Sequence, residues 1–107
     1  MATHPIKVLV WNVRGLNDPA RRSAIYQVVM AANPSIVCFQ EMNMEAVSQR
    51  EVAHCLGNKL ANFYYLPASG TRGGILLAWD PLVVQLSDPH YTENAVTALV
   101  TLVGTSS

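Results

Sequence analysis

Charged residues are scarce in this sequence of 107 residues, which has seven Lys or Arg and seven Asp or Glu. The charged fraction, 13%, is well below the roughly 25% of an average globular domain. The formal net charge is zero, so no overall field favours nucleic acid or an anionic membrane, and any binding of phosphates must be local. Half of the residues are hydrophobic. We therefore expect a chain that buries many surfaces or belongs to something larger.

Cysteine and long apolar runs are scarce as well. Cys38 and Cys55 provide neither a disulfide framework nor a zinc-binding spacing, so we expect reduced thiols. No apolar run approaches the ~18 residues that a membrane span needs. The first apolar stretch, residues 8–13, is too short and too soon interrupted by Arg14 to be a signal peptide. These absences predict a soluble, intracellular chain with no membrane partner, without distinguishing nucleus from cytoplasm.

The N-terminal part of the chain has the pattern strand, helix, strand. Residues 6–11 (IKVLVW) are typical of a strand covered on both faces. Asp18 and Pro19 predict the start of an amphipathic helix, which residues 33–34 (NP) end. Residues 35–41 (SIVCFQE) predict a second strand. The connections are short enough for a parallel βαβ crossover.

The rest of the chain predicts one weaker helix and several antiparallel strands. The helix extends from about Met44 to Leu56, with Gly57 as its stop. Short β-like runs then follow: LANFYYL, GILLAW, LVVQL and AVTALVTLV. The glycine-rich segment GTRGG predicts a hairpin turn and lacks the pattern of a phosphate-binding loop, and DPHYTEN predicts a connection. We expect one domain over residues 1–107 in the α/β (α+β) class, with a βαβ start followed by antiparallel strands.

Two polar residues stand where the two predicted parallel strands end. Asn12 follows the first strand and Glu41 the second, so both lie at the sheet edge where open α/β sheets bind ligands. An Asn can hold a phosphate oxygen or orient a carboxylate, and a Glu supplies the hard oxygen ligand that Mg²⁺ prefers. On position alone, polar side chains that simply face solvent explain the pattern better.

Three segments, VLVWNVRGLN, IVCFQEMN and TRGGILLAWDP, resemble in order and spacing the N-terminal half of the endonuclease/exonuclease/phosphatase family. More narrowly, they resemble the endonuclease domain of plant LINE-type retrotransposons. The likeness extends from Ile6 to about Val103. It implies half of a four-layer α/β/β/α sandwich, and hydrolysis of a phosphodiester or phosphomonoester that depends on Mg²⁺ (or Mn²⁺).

The resemblance also implies roles for individual residues. The Asn of the family's first motif matches Asn12, which would help to hold the phosphate and the catalytic groups, and the Glu of its QE motif matches Glu41, which would bind the metal. DNA is the implied partner. Arg14, with Arg21 and Arg22, flanks the proposed site and is a candidate contact for a nucleic-acid backbone. A solvated loop and helix face explains these arginines equally well.

The family's later motifs find no match in these 107 residues. They supply a Tyr, a Gly-Asp-x-Asn stretch and a terminal Ser-Asp-His, and we therefore expect a truncated domain with little or no nuclease activity alone. One alternative is a noncatalytic fragment that binds a partner, or itself, through an uncovered sheet face. Another is the first half of a longer, active nuclease.

Overall fold

A computed structural model describes residues 5–104, so the span predicted for the domain includes termini that lie outside the described residues. The described chain folds into helices and strands in mixed α/β order. In chain order these elements are β1 (Val8–Asn12), α1 (Pro19–Ala32), β2 (Ile36–Gln40), α2 (Gln49–Leu56), β3 (Asn62–Leu66), β4 (Ile75–Trp79), β5 (Val84–Tyr91) and β6 (Val96–Leu102).

The predicted βαβ unit is confirmed. β1 pairs in parallel with β2, in a register that places Asn12 opposite Gln40. Helix α1 begins where the Asp18 side chain accepts a hydrogen bond from the Ala20 amide at 3.0 Å, which satisfies one of the free N–H groups of the first turn. It ends at Asn33, whose left-handed backbone closes the last turn.

The sheet topology places the carboxyl ends of β1 and β2 side by side. The four-stranded sheet has the order β1-β2-β4-β3, with β4 antiparallel to both of its neighbours. β5 and β6 form a separate antiparallel pair. The prediction of a βαβ start followed by antiparallel strands is therefore confirmed.

The four-stranded sheet is covered by a different core on each face. Both helices pack on one face, where Phe39 of β2 is fully buried. The β5–β6 hairpin packs on the other face, where Val84 contacts the cluster around Ile36 and Trp79. Successive strand residues point to opposite faces, so each apolar strand run supplies both cores. Within residues 5–104, neither helix is long and apolar enough to cross a membrane.

The segment DPHYTEN is not simply a connection, and the prediction is wrong for its first four residues. β5 continues to Tyr91, and His90 pairs with Thr97 of β6. A register shift after Ser87 marks a β-bulge, in which Asp88 has a φ of 54°. Asp tolerates this left-handed conformation, and a bulge accommodates the missing N–H of the following proline. Strand β5 thus continues through residues that are typical of a turn.

Helix α2 begins later than predicted, at Gln49 instead of Met44. Ser48 and Glu51 form a capping box: the Ser48 hydroxyl accepts from the Glu51 amide, and the Glu51 carboxylate accepts from the Ser48 amide. Because this reciprocal pair satisfies two amides that have no partner inside the helix, it fixes the start of α2.

Candidate functional site

Asn12 and Glu41 meet at the predicted edge of the sheet. Asn12 is the last residue of β1, and Glu41 directly follows β2. The Asn12 Nδ2 atom donates a hydrogen bond to Glu41 Oε2, and both residues are exposed. The amide therefore orients the carboxylate, which is one of the two uses that the sequence suggested for Asn12. The part that either residue plays in chemistry stays a prediction.

Backbone hydrogen bonds extend the β1–β2 pairing beyond the strands. The amides of Val13, Gly15 and Leu16 donate to the carbonyl oxygens of residues 40, 41 and 42, at the end of β2 and just beyond it, at 2.8–3.0 Å. The Gly15 amide bonds the Glu41 carbonyl oxygen itself, at 2.8 Å. The loop that follows β1 is thereby bonded to the loop that follows β2. This bonding holds the Glu41 backbone in place.

The backbone of Glu41 adopts an uncommon conformation, with a φ of 52°. Residues with a side chain seldom occupy this left-handed region, because Cβ approaches the following carbonyl oxygen. Such conformations cost of order 1–3 kcal/mol and persist where the surrounding structure determines them. The hydrogen bond that the Gly15 amide donates to the Glu41 carbonyl oxygen is one of the contacts that hold this conformation.

Gly73 packs directly against Glu41, a contact that the sequence did not reveal. The turn predicted for GTRGG is confirmed, since Ser69 and Arg72 exchange backbone hydrogen bonds at 2.9 and 3.0 Å. Beyond the turn, the Gly73 carbonyl accepts from the Asn43 amide at 2.7 Å. A Cβ atom on Gly73 would lie 2.9 Å from Glu41 Cα and 3.0 Å from its Cγ. The glycine is therefore required for the close approach of the two segments.

Asn12 and Glu41 line an open cleft of about 320 Å³. Arg14 is not among the residues that line it, and Arg21 and Arg22 donate to backbone carbonyls of the loop after β1. The lining comprises Asn12, Gln40, Glu41, Thr71, Arg72, Gly73, Gly74, Ile75 and Asn94. No local sequence signal distinguishes Arg72 from the other arginines, because the pairing of β4 with β2 brings it to the site.

The cleft offers oxygen ligands suited to a hard cation. Within residues 5–104, no group of three or more His, Cys, Asp or Glu side chains is arranged to hold a metal ion. Mg²⁺, however, keeps several waters and is usually bound through one or two carboxylates together with substrate phosphates. The exposed Glu41 carboxylate, oriented by Asn12, fits that partial role. It does not form a complete protein cage.

A second cleft, of about 680 Å³, lies between the helices and includes Arg22, Glu51 and His54. His54 Nδ1 accepts a hydrogen bond from Arg22 Nε at 3.1 Å, so the ring proton lies on Nε2, which faces the Ser23 hydroxyl at 3.1 Å. In this tautomer His54 donates to the hydroxyl oxygen of Ser23 and does not remove its proton. The pair is therefore not an activated nucleophile.

Electrostatics in the second cleft serve the fold. Two hydrogen bonds from Ser48 hold the pKa of Glu51 below its usual value. The bond from the Ser48 amide has the larger effect, and the bond from its hydroxyl the smaller one. Burial raises the pKa of the nearby Cys55 thiol to about 11. A thiol with that pKa is scarcely ionised near neutral pH and is a poor nucleophile.

The sequence matches the endonuclease/exonuclease/phosphatase family over residues 9–105, which include both Asn12 and Glu41. The chain belongs to that family. No curated protein matches it. As a member of the family, the chain has a nuclease- and phosphodiesterase-like fold.

Several solved structures share the fold, and two of them are described below. A functionally unknown conserved protein from Enterococcus faecalis V583 is 18% identical, with a TM-score of 0.60 over 95% of this chain. The AP endonuclease LMAP from Leishmania major is also 18% identical, with a TM-score of 0.51 over 91% of this chain. The chain spans 49% and 39% of these two proteins. At this level of identity the likeness shows the fold alone.

Proposed function

We propose that this endonuclease/exonuclease/phosphatase domain takes part in hydrolysis of nucleic-acid phosphodiesters, with a divalent cation held at Glu41. The observation that carries the proposal is the Asn12–Glu41 hydrogen bond in an open cleft at the carboxyl ends of two parallel strands. A carboxylate at this edge is exposed to a substrate as large as DNA. Membership of the family supports a phosphoester over other ligands.

The chain's own residues would hold and orient the reacting groups. Glu41 would bind Mg²⁺ or Mn²⁺, and Asn12 would keep the carboxylate facing the cleft. When bound, such a cation neutralises developing phosphate charge and promotes formation of the attacking hydroxide. The Asn12 carbonyl oxygen Oδ1, which the bond to Glu41 does not use, remains available for a further ligand.

We propose further that the Asn12–Glu41 cleft is only part of a complete active site. One carboxylate does not complete the coordination of Mg²⁺, and this chain spans only 49% and 39% of the two proteins of similar structure. Other catalytic groups would then come from outside these 107 residues. On this proposal the domain binds metal and DNA but cleaves slowly or not at all alone.

Metal-dependent DNA binding tests the function without requiring cleavage. Binding of a short DNA duplex, measured by fluorescence anisotropy, is expected to strengthen when Mg²⁺ is added to the wild-type protein. Glu41→Gln should remove this effect of the metal. Glu45→Gln is the matched control, because Glu45 is exposed, close in sequence and outside the cleft lining. Equal metal effects in Glu41→Gln and the wild type would refute the proposal.

Plasmid nicking tests the claim that the site is incomplete. We expect the purified 107-residue chain to produce little or no nicked plasmid in Mg²⁺ above an EDTA control. Nicking that requires Mg²⁺ and disappears in Glu41→Ala would show that the chain already contains a complete active site. That result would support the nuclease function and contradict only its partial character.

We also propose an origin in a retroelement and an intracellular location for this protein. The resemblance of VLVWNVRGLN and IVCFQEMN to plant LINE-type endonucleases supports descent from a retroelement. The free thiols of Cys38 and Cys55 are in keeping with a reducing, intracellular location. The sequence that flanks the gene would test the retroelement origin. Fluorescence microscopy of the tagged protein would test the location.

Exposed apolar residues support a second candidate function, binding of another protein or of a second copy. Val8 and Val10 are 52% and 60% exposed on β1, an edge strand, and Val100 is 52% exposed on β6. Apolar residues on an open sheet edge favour association. Multi-angle light scattering should show a species larger than the monomer, which Val10→Lys would dissociate. A monomer that binds no hydrophobic dye would contradict this function.

A further inference from the structure

Arg72 is the cationic side chain in the lining of the Asn12–Glu41 cleft. It lies in the connection between β3 and β4, one residue before the glycine that contacts Glu41. The same lining contains the polar residues Thr71 and Asn94. The cleft therefore combines a carboxylate, a group suited to a divalent cation, with a guanidinium, a group suited to a phosphate.

The Arg72 guanidinium is fixed by two parts of the chain. Its Nε donates to the Pro67 carbonyl oxygen and its Nη1 to the Glu93 carbonyl oxygen, each at 2.9 Å. Pro67 belongs to the connection after β3, and Glu93 to the turn between β5 and β6. Arg72 thus ties that turn to the edge of the site. Its side chain is half-buried, so its position is largely set before any ligand binds.

The two bonds leave part of the guanidinium available. A guanidinium carries five N–H donors in a planar fork, and the carbonyls of Pro67 and Glu93 accept from only two of its nitrogens. Arginine held in this manner loses less conformational entropy on binding an oxyanion than a flexible lysine does. Phosphate oxygens are the acceptors that match such a fork.

We propose that Arg72 donates a hydrogen bond to a nonbridging phosphate oxygen of the nucleic-acid backbone bound in the cleft, where Glu41 would hold the cation. This assignment rests on the proposed function, since it names a contact of that site. Thr71 and Asn94 lie in the same lining. The turn between β5 and β6, attached through Arg72, forms a wall of the phosphate site.

A purely structural role predicts different behaviour. If Arg72 only joins two turns, its replacement would loosen the site without removing a phosphate contact. Neutralising one phosphate releases about 0.9 counterion equivalents on B-DNA, which appears in the slope of log affinity against log salt. The slope therefore distinguishes a direct contact from a structural one, even where both weaken binding.

The test compares the salt dependence of DNA binding among matched variants. Anisotropy titrations of a short duplex with Mg²⁺ would use the wild type, Arg72→Gln, Arg72→Lys and Arg50→Gln. Arg50 is an exposed arginine in the separate cleft between the helices. We expect Arg72→Gln to lower the magnitude of the slope by about 0.9, Arg72→Lys to bind more weakly with the wild-type slope, and Arg50→Gln to behave as wild type.

Each other outcome overturns a defined part of the account. Equal slopes for Arg72→Gln and the wild type, or an equal decrease in Arg50→Gln, would overturn the Arg72 contact. Arg72→Gln could lower the salt slope of DNA binding while Mg²⁺ still strengthens DNA binding by Glu41→Gln. In that case the metal-dependent function fails and the Arg72 contact stands. No DNA binding by the wild type overturns both. Displacement of the duplex by inorganic phosphate at low concentration would assign the site to free phosphate.

Discussion

The Asn12 Nδ2 atom donates a hydrogen bond to Glu41 Oε2, across 29 positions of sequence. The bond joins the ends of two neighbouring parallel strands, so it depends on the sheet and not on local loop structure. It engages one carboxylate oxygen of Glu41, a residue that lines an open cleft. On the proposed function, this pair is the chain's own contribution to a cation site.

Replacement of Asn12 tests whether orientation of the carboxylate matters. Residues that orient metal ligands typically contribute a factor of about 10–100 to metal affinity or activity. We expect Asn12→Ala to weaken Mn²⁺ binding by about tenfold or more, measured by electron paramagnetic resonance titration. Asn58→Ala, at an exposed turn, should bind Mn²⁺ as the wild type does. Equal affinities for Asn12→Ala and Asn58→Ala would show that the hydrogen bond is irrelevant to the metal.

The backbone of Glu41 should make the protein less stable than it would be with glycine at that position. Glycine occupies a φ of 52° without the penalty of about 1–2 kcal/mol that other residues incur. Glu41→Gly is therefore expected to have a higher free energy of unfolding than Glu41→Ala, measured by urea denaturation. At Gln40, the last residue of β2, the order should reverse, because glycine weakens a strand. The same order at both positions would contradict the conformational argument.

Gly73→Ala should displace Glu41. The new methyl group would lie 2.9 Å from the Glu41 Cα atom, closer than packed carbon atoms approach. We expect weaker Mn²⁺ binding together with a loss of stability. Gly70→Ala is the comparison: Gly70 has a φ of 57° and open space around it, so the loss should be of stability alone. If both variants bind Mn²⁺ as the wild type does, the contact does not position Glu41.

The capping box should make stability depend on pH. The hydrogen bonds from Ser48 lower the pKa of Glu51 below its ordinary value of 4.5. A lowered folded-state pKa stabilises the protein above the unfolded-state value, and that contribution is lost as the pH falls through the folded-state pKa. The stability difference between the wild type and Glu51→Gln should therefore shrink below about pH 4.5. Acid denaturation curves of the two proteins measure this difference, and a difference that stays constant through this range would contradict the capping argument.

The Asn12–Glu41 pair could be predicted because its geometry follows from local patterns. Two apolar runs joined by a capped helix specify a parallel pair, and the residues that end two parallel strands must share an edge. Gly73 and Arg72 could not be predicted in the same way. They reach the site through the antiparallel pairing of β2 with β4, and nothing in the intervening residues encodes that distant pairing.

The course of β5 shows a second limit. Asp88 and Pro89 are residues that normally mark a turn, yet the strand continues through them by a bulge and pairs again at His90. The free energy gained when β5 continues to pair with β6 exceeds the preference of Asp88 and Pro89 for a turn. The same hairpin then brings Glu93 to Arg72 at 2.9 Å, so the part of the site that was missed depends on tertiary structure.

A map of Mn²⁺ binding by nuclear magnetic resonance tests the central claim most directly, because bound Mn²⁺ broadens the amide signals of nearby residues. The account predicts that sparing amounts of Mn²⁺ broaden the signals of Asn12, Glu41 and Gly73 in the wild type, and that Glu41→Gln abolishes this broadening. Broadening that survives in Glu41→Gln, or that centres on Asp88 and His90 instead, would contradict the claim that Glu41 holds the cation.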